Sequence, residues 1–126
     1  FPTRRSSDLD GAVLDFTKGY GDKFALETDP FMAASGADIL ITDTWTSMGE
    51  EAEKEERKKI FKDYQINRQL LAAANAGAMV QHCLPAYRGQ EITEEVFEEH
   101  ADEIFNEAEN RLHAQKAVMV KLMKKD

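Results

Sequence analysis

The sequence predicts an α/β domain, a partial doubly wound parallel sheet with helices on both faces. Two observations carry this. The run Ala37-Asp38-Ile39-Leu40-Ile41-Thr42, apolar at its centre, and the apolar run Ala78-Met79-Val80 are short and lead into polar loops, as buried strands do. Segments with helical signals lie before, between and after them, an alternation that argues a parallel sheet with helical crossovers. The predicted order is helix, strand, helix, strand, helix, helix, strand, helix, strand, helix.

Each element has its own reason. Gly11 to Tyr20 carries Ala12, Val13, Leu14 and Phe16 in a weak helical pattern that Gly19 and Gly21 stop. Lys23 to Thr28 partly alternates polar and apolar residues, which predicts a short strand. Thr28 or Asp29 is a suitable N-cap, Pro30 a suitable first helical residue, and Gly36 a suitable stop. The strand Ala37–Thr42 follows. Glu50 to Ile60 is a charged helix with Glu50/Lys54, Glu53/Arg57 and Glu55/Lys59 in the favourable i,i+4 order, mostly a solvated face. Phe61 to Ile66 is a connector with buried aromatics. Asn67 caps a helix through Leu70, Leu71 and Ala74 that stops around Gly77. The second apolar run then delivers His82, Cys83 and Leu84 into a loop that Pro85 closes. Ala86 to Glu91 continues that loop, and Thr93 caps a helix over Glu94-Glu95-Val96-Phe97. Ile104-Phe105 is expected to be a last strand. Glu107 to Met123 is a long helix, with Lys121, Lys124 and Lys125 near its negative end.

Composition bounds the function. The chain has 126 residues, enough for one domain with a modest core, and a net charge of -8. With a pI of about 4.9 it has no electrostatic footprint for nucleic acid or an anionic membrane. One cysteine excludes an internal disulfide framework and fits a reducing, cytoplasmic compartment. No apolar stretch approaches the length of a bilayer span. Three histidines and one cysteine, none in metal-ligand spacing, argue against a zinc site. No metal or cofactor is expected.

Residues 1–9, Phe1-Pro2-Thr3-Arg4-Arg5-Ser6-Ser7-Asp8-Leu9, show neither helical nor strand period and no apolar signal-peptide core. They match one reading frame of a common short-read sequencing adapter. They are therefore expected to be non-native, with the native polypeptide, cut short at its start, running from residue 10 to 126.

The strand ends locate the chemistry. In open α/β sheets, ligands bind at the carboxyl ends of the strands. Asp43-Thr44-Trp45-Thr46-Ser47-Met48-Gly49 follows one strand, with a carboxylate, hydroxyls and a turning glycine. Alone it reads equally as an N-capping loop. His82-Cys83-Leu84-Pro85 follows the other. A lone cysteine is more often a small buried hydrophobe, so Cys83 by itself favours packing. With Ile104-Phe105 as a strand, Asn106 to Arg111 would lie on the same edge. Asp43, Ser47, Cys83 and Arg111 would then line one cleft.

Taken as an ordered set, these motifs resemble the ornithine carbamoyltransferase family. They are Asp43-Thr44-Trp45-Thr46-Ser47-Met48-Gly49, His82-Cys83-Leu84-Pro85 and Glu107-Ala108-Glu109-Asn110-Arg111. The resemblance continues through Phe61-Lys62-Asp63-Tyr64-Gln65-Ile66-Asn67 and Leu112 to Met119, and covers about Asp29 to Met123. The family moves the carbamoyl group of carbamoyl phosphate to the side-chain amine of L-ornithine, giving L-citrulline and phosphate, in arginine metabolism. The resemblance implies that Asp43 and Cys83 are catalytic. It further implies that Asp43, Ser47 and Met48 hold ornithine, Asp43 at the α-amino group and Met48 through its backbone. Cys83, Leu84 and Arg111 then belong to the carbamoyl phosphate pocket. His82 is expected to shape the site rather than act as its acid or base, and Tyr87 and Arg88 to be loop structure before substrate contacts.

The family's N-terminal domain carries a Ser-x-Arg-Thr phosphate-binding segment that this sequence lacks. The resemblance therefore implies a C-terminal, ornithine-binding fragment, inactive alone, of a parent that assembles as a homotrimer or larger. Rival readings are a sister carbamoyltransferase for putrescine or an acylated ornithine, or a non-catalytic amino-acid-binding remnant. A sister enzyme should alter the Asp43 to Gly49 loop, which here keeps its ornithine-type form.

Overall fold

A computed structural model describes residues 10–46 and 54–124 of the chain. The elements are α1 (Gly11–Thr17), α2 (Pro30–Ala34), β1 (Ile39–Thr42), α3 (Lys54–Phe61), α4 (Arg68–Ala73), β2 (Met79–His82), α5 (Glu94–Glu99) and α6 (Ala101–Met123). Turns of 3-10 helix follow α1 over Lys18–Lys23 and α3 over Lys62–Tyr64. The architecture is α/β, as expected. β1 and β2 pair in parallel, with Leu40 opposite Val80 and Thr42 opposite His82. α3 and α4 fill the crossover that a parallel pair requires.

Local chemistry sets the helix starts as predicted. Asp29 Oδ1 accepts from Phe31 N at 2.8 Å and from Met32 N at 3.4 Å, with Pro30 at the first helical position. Asn67 Oδ1 accepts from Leu70 N at 2.9 Å. Thr93 Oγ1 accepts from Val96 N at 3.4 Å. Gly36 and Gly77 follow α2 and α4 with φ of 71° and 80°, a backbone that only glycine adopts cheaply. The structure also gives α3 a Glu55–Lys58 ion pair of 3.0 Å at i,i+3. Glu50 to Glu53, predicted as the start of this helix, lie outside the described residues.

The core comprises Ala34, Leu40, Ile66, Leu70, Val80, Ile92, Val96, Phe97 and Ile104. It draws on one face of the sheet, where Leu40, Val80 and His82 are buried. On the other face Ile39, Ile41 and Met79 are exposed. α6 packs on β2, and α2 packs on α4. Phe61 and Tyr64, expected to be buried, are only half-buried; Phe61 stacks on Trp45, and Tyr64 Oη donates to the Thr28 carbonyl at 2.9 Å.

Two predicted strands are absent among the described residues. Lys23 to Thr28 is extended at Phe24 but pairs with no strand, and Phe24 and Leu26 are exposed. An extended segment becomes a strand only when a neighbour satisfies its backbone. Ile104-Phe105 is helical. It lies inside α6, which starts six residues before the predicted Glu107 start (107 − 101). Ile104 is fully buried, and Ala101, Glu103, Glu107 and Ala108 around it all favour helix. Two adjacent apolar residues satisfy the same local pattern as a short buried strand, whereas in the helix Ile104 points into the core and Phe105 is exposed.

Candidate active site

Parallel pairing brings the polar ends of β1 and β2 together. Because Thr42 is opposite His82, the next residues, Asp43 and Cys83, emerge side by side at the carboxyl edge of the sheet. Cys83 Sγ donates to Asp43 Oδ1 at 3.3 Å. The same carboxylate oxygen accepts from Thr44 N at 2.7 Å, which orients Asp43 toward the thiol.

Arg111 reaches this edge from α6. Its Nη1 donates to the Cys83 carbonyl oxygen at 3.0 Å. This corrects the sequence-based placement. Arg111 does not follow a strand; it sits mid-helix and arrives because α6 lies on β2. The expected neighbourhood of Asp43, Cys83 and Arg111 thus forms by a different route. Ser47 and Met48, predicted alongside them, lie outside the described residues. Leu84 follows Cys83 directly, is half-buried, and has φ of 55°, a left-handed conformation that side-chain-bearing residues rarely adopt.

The electrostatics define the state of the thiol. Burial pushes the Cys83 pKa above its ordinary value, and the hydrogen bond to Asp43 and that carboxylate's charge push it further. Arg111 pulls it down, Glu107 adds to the rise, and the net direction is upward. Cys83 is therefore a thiol rather than a thiolate at neutral pH, a hydrogen-bond donor and a poor nucleophile.

His82 lies beneath the edge, fully buried with Glu91. Leu84 N donates to His82 Nδ1 at 3.0 Å. That nitrogen is then unprotonated, so Nε2 carries the proton and donates to Glu91 Oε1 at 3.0 Å. Both ring nitrogens are engaged, in keeping with a shaping role. Glu91 Oε1 also accepts from Tyr87 N at 2.5 Å. In sequence Glu91 reads as a loop residue, because a single glutamate at the end of the Ala86 to Glu91 loop carries no periodicity. Arg88 turns away from the edge, pairing with Glu98 at 2.6 Å and lying over the Phe97 ring at 4.6 Å.

Asp43, His82 and Cys83 also offer atoms within 4.8 Å of one another, a cluster the sequence spacing does not reveal. It does not suit a metal. A neutral histidine ligand needs a free nitrogen lone pair, and the Nδ1 lone pair already accepts from Leu84 while Nε2 carries the proton.

A parallel α/β domain with a carboxylate, a thiol and a guanidinium at its carboxyl edge has the arrangement of a ligand-binding domain of the open α/β class. Comparison with known proteins identifies which. The family model "Aspartate/ornithine carbamoyltransferase, Asp/Orn binding domain" matches residues 4–122, starting inside the 1–9 stretch. The chain belongs to this family. It is 56% identical over 113 residues to an ornithine carbamoyltransferase of a Nitratiruptor species, covering 90% of this chain and 37% of that protein. The ornithine carbamoyltransferase of Methanospirillum hungatei is 53% identical over 103 residues, 82% of this chain and 34% of that protein. Among solved structures, the anabolic ornithine carbamoyltransferase of Campylobacter jejuni superposes with a TM-score of 0.87 at 42% identity, covering 96% of this chain and 41% of that one. The chain thus spans little more than a third of the length of its curated relatives.

Proposed function

We propose that this chain is the ornithine-binding part of an ornithine carbamoyltransferase, which transfers the carbamoyl group of carbamoyl phosphate to the side-chain amine of L-ornithine. The products are L-citrulline and phosphate. The observation that carries the reading is the Cys83 thiol held on Asp43 at 3.3 Å, with Arg111 on the adjoining carbonyl, in a chain of this family.

The chemistry fits the groups. Ornithine has two ammonium groups, and only the side-chain amine must lose a proton before attack. Asp43 supplies a carboxylate for the ammonium that stays charged. Cys83, a neutral polar donor and acceptor, receives the uncharged amine without favouring its protonated form as a thiolate would. The attacking neutral nitrogen bonds to the carbamoyl carbon, negative charge gathers on the carbamoyl oxygen, and phosphate departs with the C–O bonding pair and takes up the proton that the nitrogen sheds. Arg111 spends one N–H on Cys83, and the guanidinium has further donors to turn toward that charge. A protonated Cys83 argues against an acyl-cysteine intermediate. Leu84 completes the carbamoyl phosphate side, and Ser47 with Met48 the amino-acid end of ornithine.

The Ser-x-Arg-Thr segment that the resemblance attaches to phosphate binding is not in this sequence, so we expect the 126-residue chain to be inactive alone. The full protein is then a homotrimer or larger, and acts in the cytoplasm in arginine metabolism. Among the described residues no helix is long and apolar enough to cross a membrane. Residues 1–9 remain in this reading non-native, and resequencing the locus upstream of Asp10 decides that point. The functional test is a citrulline assay with both substrates on the isolated chain and on the full-length chain encoded at the locus. An amine panel of ornithine, N-acetylornithine and putrescine accompanies it. Turnover by the isolated chain, or preference for another amine, would overturn the corresponding part of the proposal.

A further inference from the structure

We infer that Glu91 is a positioning residue for the Cys83 loop: it selects the His82 tautomer that holds Leu84, and through Leu84 fixes Cys83 between Asp43 and Arg111. The inference rests on the carbamoyltransfer reading only for its kinetic consequence; the geometry stands apart from it.

His82 and Leu84 flank Cys83. The bond from Leu84 N to His82 Nδ1, 3.0 Å, therefore spans the cysteine from one neighbour to the other. It holds Leu84 at φ of 55°, a conformation leucine rarely keeps without restraint. The bond exists only while Nδ1 is an acceptor. A neutral imidazole can place its proton on either nitrogen, and on Nδ1 it would face the Leu84 N–H donor to donor. Glu91 decides between them, because its Oε1 accepts from Nε2 at 3.0 Å. Glu91 is itself held: its side chain takes the Tyr87 N–H, and its backbone carbonyl accepts from Ile66 N at 2.9 Å. The pair is fully buried, so water does not substitute for either partner. Glu91 Oε2 is buried without a partner among the described residues, so the carboxylate's hydrogen bonding is concentrated on the one oxygen that faces His82 and Tyr87.

The full-length chain with carbamoyl phosphate and ornithine provides the test. Two replacements of His82 separate its two bonds. In His82→Asn the amide oxygen lies near the position of Nδ1 and can accept from Leu84, but cannot reach Glu91. In His82→Gln the longer amide keeps Glu91 and loses Leu84. His82→Asn is expected to retain the higher kcat. Glu91→Ala is expected to lower kcat about 10–100-fold in the unaltered background, the usual loss when an orienting partner is removed, with kcat/KM falling in parallel. In the His82→Asn background, Glu91→Ala should cost no more than about twofold, the scatter of independent sites. A higher kcat for His82→Gln, or an equal Glu91→Ala loss in both backgrounds, overturns the inference. Should the Glu91 variant fail to fold, the imidazole ¹⁵N spectrum of the unaltered chain still decides. A proton on Nε2 is expected, and one on Nδ1 overturns it. Absence of citrulline from the unaltered full-length chain would instead refute the proposed function and leave the spectrum to judge the geometry.

Discussion

Cys83 donates its thiol proton toward Asp43 Oδ1 across 3.3 Å although forty residues separate the two in sequence. The contact follows from strand register: one step beyond the Thr42–His82 pair, two parallel strands leave the sheet together. It also sets how the thiol ionises. Asp43 raises the Cys83 pKa and Arg111 opposes the rise, so thiolate is scarcer at a given pH than at an ordinary cysteine. Alkylation of Cys83 by iodoacetamide near pH ~8 should be slow. Asp43→Asn removes a raising charge, lowers the pKa and should speed the reaction. Arg111→Met removes the lowering charge and should slow it. The opposite order would refute this electrostatic account.

Under the proposed function Asp43 also bears on turnover. In the full-length chain Asp43→Asn leaves a hydrogen-bonding side chain but removes the charge. A hydrogen bond to a charged group contributes about 1.5–3 kcal/mol, so kcat/KM for ornithine should fall roughly ten- to hundredfold. Steady-state kinetics with carbamoyl phosphate saturating would measure it.

Glu103 secures the β2 side of the site. Its Oε2 accepts from Val80 N at 2.9 Å and meets His100 Nδ1 at 3.0 Å, satisfying a backbone donor that no third strand takes among the described residues. Burial pushes the Glu103 pKa up, but the hydrogen bonds from His100 and Val80 and the charge of His100 outweigh it, and the net shift is downward. A depressed folded-state pKa stabilises the fold above the ordinary glutamate range, and this contribution is lost as pH falls through the folded value. Urea midpoints should therefore fall on acidification, and Glu103→Gln should flatten part of that dependence. An unchanged acid limb in the variant would contradict this.

Ile104 is fully buried, on the helix face that packs on β2. Ile104→Ala should destabilise by about 2–5 kcal/mol. Its exposed neighbour makes a control, since Phe105 is about half exposed and Phe105→Ala should cost less. Chemical denaturation of the two variants gives the comparison.

The N-cap of α4 offers a local test. Asn67→Ala removes the acceptor for Leu70 N and should cost about 1 kcal/mol, seen as a lower urea midpoint with little change in its slope.

Much of this was legible in the amino-acid order, because the responsible physics is local. Caps at Asp29, Asn67 and Thr93 bond to donors two or three residues ahead, and the apolar centres of β1 and β2 announce burial. The motifs around Asp43, Cys83 and Arg111 singled out the candidate site groups through resemblance. Other features needed the third dimension. Whether Lys23 to Thr28 becomes a strand depends on a neighbouring backbone, and whether Ile104-Phe105 is strand or helix depends on which surface it meets. No pattern in the loop marks Glu91, since its partner His82 is nine residues away and meets it only inside the core. The sequence by itself determined which groups are available and the local elements that carry them. Only tertiary structure decided that register would set Asp43 against Cys83, that a helix would bring Arg111 to the same edge, and that a buried carboxylate would choose the tautomer beneath them. Hydrogen bonds and charges act over a few ångströms in space, a separation that chain order leaves open until the fold closes it.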